Sequence, residues 1–115
     1  MVLATELNVY KTTYDLTLAT FHVIKGFSRE YKYTLGETIK RELLELAVLI
    51  YRANVSRHHR GDILTVSRER MEALRLLFRL AHDLKTIPLT HFVTLSESIE
   101  SISKQLTAWE KSSAR

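Results

Sequence analysis

The sequence predicts an all-α fold, an antiparallel up-and-down four-helix bundle, and three observations carry that expectation. Phe92, Leu95, Ile99, Ile102, Leu106 and Trp109 recur at alternating spacings of three and four, with polar residues such as Ser96, Glu97, Glu100 and Lys104 between them. That is an a/d stripe on one narrow helix face. Three Gly and one Pro in 115 residues leave little material for turns, so the elements are long. No stretch alternates apolar and polar residues between turn signals, as a half-buried strand would. The length suits one domain over residues 1–115 with a single core.

The first helix is expected near 4–25, with Thr5 as its N-cap and Glu6 favourable in the first turn. Leu3, Leu7, Tyr10, Tyr14, Leu18, Phe21 and Ile24 make one face; Val9, Leu16, Val23 and then Phe27 make a second, nearly opposite one. Gly26 is a stop signal. Residues 27–33 read as a connector. Thr34 with Glu37 three residues on has the capping-box spacing and opens a second helix over 34–55. Its main face is Leu35, Ile39, Leu43, Leu46, Leu49, Ile50 and Ala53, and Leu44, Val48, Tyr51 and Val55 form another. Gly36 in the first turn leaves room for a bulky neighbour. A loop over 56–62 leads to Asp62 as a cap for a third helix, 63–85. There Met71, Leu74, Leu77, Phe78, Ala81 and Leu84 face a core, and Ala73, Leu76 and Leu80 widen the apolar arc to roughly 200°. Pro88 fits the start of the fourth helix, 89–110, not its interior.

Composition narrows function. Without Cys there is no disulfide framework or thiolate metal site. No apolar run reaches the roughly 18 residues of a membrane span, and the N-terminus reads as no signal peptide. A cytoplasmic protein is expected. No phosphate-loop or dinucleotide glycine pattern occurs. No His has Glu three residues before it, as a di-iron bundle requires. The adjacent His58 and His59 are too few for a metal site. The expectation is a protein with no catalytic residue, metal or cofactor.

The net charge of +4 is local. Residues 52–85 hold eight basic groups, seven of them Arg, against four acidic ones, and the rest balances at nine of each sign. Arg68, Arg75, Arg79 and His82 fall within a roughly 60° strip of the third helix, and Arg57 and Arg60 precede it in the loop. Arginines so arranged can track phosphates without reading bases. The rival reading is a salt-bridged surface, with Arg68–Glu72 and Arg79–Asp83 at i,i+4 and Arg75 sharing Glu72, which leaves the loop arginines free. Arg57, Arg60, Arg68, Arg75 and Arg79 are the candidate nucleic-acid contacts. The second apolar stripes are hard to bury in one bundle and suggest self-association. Leu16, Val23, Leu44, Val48, Tyr51, Val55, Leu76 and Leu80 are the candidate oligomer interface.

Two segments add a resemblance. Phe27 to Ile39, FSREYKYTLGETI, resembles the Tyr-Thr-Leu-Gly segment that opens the second helix in a family of small bundle proteins. That family includes the accessory variability determinant (Avd) of diversity-generating retroelements and proteins encoded in ribosomal-RNA intervening sequences. Leu95-Ser96-Glu97 and Lys104-Gln105-Leu106-Thr107-Ala108-Trp109 resemble its final-helix pattern, with Thr107 and Ala108 in place of two glycines. The resemblance implies a ring-like homopentamer with a basic surface. It also implies binding to the element's reverse transcriptase and to RNA or DNA in mutagenic retrohoming, with the polymerase chemistry in the partner. The intervening-sequence members imply the alternative, a bundle protein that binds ribosomal RNA or acts as a self-assembly and protein-interaction module.

Overall fold

The computed structural model describes residues 7–114. They form four long helices and one short helical turn, with no strand among the described residues: α1 (Asn8–Ile24), α2 (Arg29–Lys32), α3 (Leu35–Val55), α4 (Arg60–Asp83) and α5 (Leu89–Ser113). The long helices make a bundle of 45 × 22 × 21 Å. α1 and α4 each pack against both α3 and α5. Thr5, Glu6 and Leu3, expected at the start of the first helix, lie outside the described residues.

The core face of α1 is rotated from the expectation: Leu7, Tyr10 and Ile24 of the expected face do pack against the core, but Tyr14 and Leu18 do not. Val9, Thr13, Leu16, Thr20 and Ile24 are buried, whereas Tyr14 is 60% and Leu18 50% exposed. Two threonines make this possible. The hydroxyls of Thr13 and Thr20 donate to the carbonyls of Val9 and Leu16, each at 2.7 Å. Each hydroxyl is thus satisfied within the helix, and a threonine can stand in a core seam. Leu16, at 1% exposure, is therefore protomer core and leaves the candidate oligomer interface. Val23 is half-buried against the same core.

α3 buries Leu35, Ile39, Leu43, Leu46, Ile50 and Ala53 as its spacing requires. Gly36 is buried too, where a Cβ would stand 2.9 Å from Ile24 Cγ2. The capping box at Thr34 does not form. The Thr34 hydroxyl donates backwards to Glu30 O at 2.9 Å, because α2 places that carbonyl one turn before it. α4 begins at Arg60, so Asp62 lies in its first turn rather than capping it. Its end is a Schellman closure: Thr86 N–H donates to Ala81 O and Lys85 N–H to His82 O. Lys85 holds the left-handed position, at φ 61°, that glycine usually takes.

α5 starts after Pro88 and buries Leu95, Ile99, Ile102 and Leu106 along its a/d stripe. Phe92 and Trp109, at the ends of that stripe, are partly buried. Trp109 lies shallower than its place in the stripe predicts. It closes the end of the core under the Arg60 guanidinium, 5.7 Å from the ring centroid. Among the described residues no buried side-chain polar atom lacks a hydrogen-bond partner.

Candidate functional site

The basic strip of α4 lies along the seam with α5, and its charges are largely matched there. Arg68 pairs with Glu110 of α5, not with Glu72. Thr65 also donates to Glu110, at 2.6 Å. The Thr65 hydroxyl and then the Arg68 guanidinium hold the Glu110 carboxyl below its ordinary range. Arg75 bridges Glu72 and Glu100, the latter at 2.7 Å, and the hydrogen bond to Glu72 raises its pKa most. Arg79 pairs with Asp83 at 3.2 Å, as its i,i+4 spacing predicts. Outside the strip, Arg70 spans Glu42 at 2.8 Å and Glu45 at 3.1 Å, and Glu42 raises its pKa. Exposed pairs of this kind contribute little to stability, but they cancel the field a polyanion would feel.

Of the two loop arginines, one is free. Arg60 donates from Nε to Ala53 O at 2.7 Å and from Nη2 to Asn54 O at 2.9 Å. It caps the C-terminal carbonyls of α3, a role its loop position did not suggest. Arg57 is exposed and makes no ion pair among the described residues. Arg52, in the last turn of α3, shares both properties. Sequence reasoning passed over it because it lies off the α4 strip, although it belongs to the same basic zone. His58 and His59 are exposed beside Arg57. Within the 52–85 zone, the arginines without a carboxylate partner among the described residues, Arg52, Arg57 and Arg60, thus gather at the α3–α4 turn.

The apolar surplus stands out on the surface. Leu44, Val48, Tyr51 and Val55 of α3 are about half exposed, Leu80 of α4 slightly less, and Leu76 is 69% exposed. Leu44, Val48 and Val66 line a shallow groove of about 320 Å³ with Arg52 and Arg70 at its edge. Tyr14 and Leu18 add exposed apolar surface on α1, where sequence reasoning placed core. Their signal was the rival seam Val9-Thr13-Leu16-Thr20-Ile24, which needs threonines counted as core residues.

No group of three or more His, Asp or Glu among the described residues is placed to hold a metal ion. No helix among them is long and apolar enough to cross a membrane. No curated protein matches the sequence. The model of one family, described as bAvd-like, matches residues 7–113, which takes in all four long helices, the Tyr33-Thr34-Leu35-Gly36 turn and the Trp109 end of the core. With that match over nearly its whole length, the chain belongs to the bAvd-like family.

Proposed function

We propose that this protein is a non-enzymatic accessory protein of a diversity-generating retroelement, one that binds nucleic acid and the element's reverse transcriptase in support of mutagenic retrohoming. The family membership supports the reading. The observation that carries it in the geometry is the uncompensated pair Arg52 and Arg57 at the α3–α4 turn, while the other arginines of the zone are matched. These two make the leading phosphate contacts. Arg68, Arg75 and Arg79 add weaker ones by exchanging a carboxylate for a phosphate, and Arg60 chiefly holds the turn in shape.

The pairings support an alternating up-and-down course of the long helices. Asn8 near the start of α1 meets Gln105 near the end of α5. Phe21 stacks under Lys40 of α3. Arg70 of α4 meets Glu42 of α3, and Arg68 meets Glu110 of α5. The exposed stripe Leu44, Val48, Tyr51 and Val55 supports self-association, with a homopentamer as the assembly proposed. A ring repeats Arg52 and Arg57 in each copy, so weak contacts become avid.

The test is RNA binding as a function of salt, with reverse-transcriptase capture measured separately. Arg52→Ala with Arg57→Ala should weaken RNA binding and flatten the log–log salt slope by roughly 0.7–0.9 for each phosphate no longer neutralised. Arg75→Ala with Arg79→Ala should do less. Unchanged affinity and slope in the first variant would remove the turn from the interface. Absence of both RNA binding and polymerase capture in the parent protein would leave the self-assembly module as the better reading, for which the exposed apolar stripe is the specific observation.

A further inference from the structure

At the far end of the bundle from Arg57, α1 and α4 finish and α5 begins. A cleft of about 790 Å³ opens there, of the size that takes small molecules. Its charged and titratable lining comes from every element around it: His22 of α1, His82 and Asp83 of α4, Lys85 of the following turn and His91 of α5. Asp83 is the one carboxylate among them, and Arg79 already holds it. The side chains of His22, Lys85 and His91 have no hydrogen-bond or ion-pair partner among the described residues. His82 stands 3.5 Å from the Asp83 carboxylate and is fixed by stacking on Phe92, with ring centroids 4.1 Å apart. Val23, Ile87 and Pro88 give the cleft an apolar wall. A second hollow, of about 290 Å³, continues along α1 and α5 and shares His22, Val23 and His91.

Two further features bear on the charge of a ligand. The carbonyl ends of α1 and α4, which would otherwise attract a cation, are closed by their own turns. Gly26 N–H donates to Val23 O and Phe27 N–H to Ile24 O at the first, and the Lys85 and Thr86 amides close the second. Lys85 also occupies a backbone position where glycine would cost less. The lysine found there brings to the cleft lining an ammonium that glycine could not supply.

We infer that this cleft binds a phosphate monoester, carried by a free nucleotide or by the end of a nucleic-acid strand. Imidazole and ammonium donors gathered in one cleft with no unmatched carboxylate suit a concentrated dianion. A backbone diester instead spreads its charge along a surface. The site is separate from the Arg52–Arg57 turn, and neither reading depends on the other.

The experiment follows histidine ring signals by NMR in the full chain, near pH 6.5, with inorganic phosphate, adenosine 5′-monophosphate and adenosine as probes. The two phosphates should saturate the site and move His22, His82 and His91 together while His58 and His59 stay. Lys85→Gly should raise the melting temperature and weaken binding roughly tenfold, as loss of a charged donor does. His22→Gln with His91→Gln should weaken it with the fold intact. A strand end is the ligand's source if a 5′-phosphate tightens binding of a short oligonucleotide at these histidines; a free nucleotide is the source if it does not. Equal binding of adenosine and its monophosphate, shifts as large at His58 and His59, or undiminished affinity in both variants would each overturn the inference.

Discussion

Gly36 and Gly61 allow one substitution to be tested twice with opposite expected signs. Each is the second residue of a long helix, α3 or α4, and neither has a positive φ. Alanine in place of glycine gains up to about 1 kcal/mol in a helix, less in a first turn. At Gly61 a new Cβ meets nothing within 4 Å. At Gly36 it lands 2.9 Å from Ile24 Cγ2, 3.4 Å from Tyr31 O and 3.6 Å from Phe27 Cδ2. The Ile24 methyl branches directly from a stiff Cβ in a fully buried side chain, so it cannot swing aside. The backbones of α1 and α3 must part, and overpacking of this kind costs about 1–3 kcal/mol. The balance for Gly36→Ala is a loss of about 1–2 kcal/mol, and for Gly61→Ala a gain below about 1 kcal/mol. For a chain of this size each kcal/mol moves the melting temperature by about 4 °C. Thermal unfolding followed by circular dichroism should place Gly36→Ala roughly 4–8 °C below the parent and Gly61→Ala level with it or slightly above. If Gly36→Ala proves as stable as Gly61→Ala, the close approach of α1 and α3 at the Tyr-Thr-Leu-Gly turn is wrong.

Val48→Glu with Tyr51→Glu changes two residues about half exposed in the protomer, so helicity should persist while the mass by light scattering falls to that of one chain; lost helicity would instead place the stripe in the protomer core. Glu110→Gln removes a carboxylate held below its ordinary range by Thr65 and then Arg68. Its contribution is complete above the unfolded carboxylate value and disappears as pH falls through the lower folded one. Between about pH 5 and pH 3 the parent should therefore lose more stability than the variant, and parallel acid profiles would mean that α4 and α5 are not clasped there.

The helices were legible where one face is plainly richer than the other. The stripes of α3 and α5 landed in the core because their opposite faces carry charge or a separable second stripe. The core face of α1 came out rotated because hydropathy cannot see a hydroxyl satisfied inside its own helix: Thr13 and Thr20 are polar by composition and core in the fold. The capping spacing at Thr34 failed for a related reason, since α2 supplies a nearer acceptor in Glu30 O. For the arginines, Arg79–Asp83 follows from local spacing. Arg68–Glu110 and Arg75–Glu100 join residues 42 and 25 positions apart, and pattern within one helix holds no information about them. Arg60 resembled its neighbour Arg57 in sequence and differs only because the end of α3 returns to within its reach.

The ion pairs are unevenly distributed over the bundle. α3 is fastened to α4 by Arg70 with Glu42 and Glu45, and α4 to α5 by Arg68 with Glu110 and Arg75 with Glu100. Among the described residues no salt bridge joins α1 to any neighbour. It is held by its apolar and threonine seam, the Asn8–Gln105 hydrogen bond and the Lys40–Phe21 contact. By its charge contacts the molecule is thus a three-helix slab, to which α1 is joined without an ion pair among the described residues. Amide hydrogens of α1 should exchange with solvent ahead of those in α3, α4 and α5.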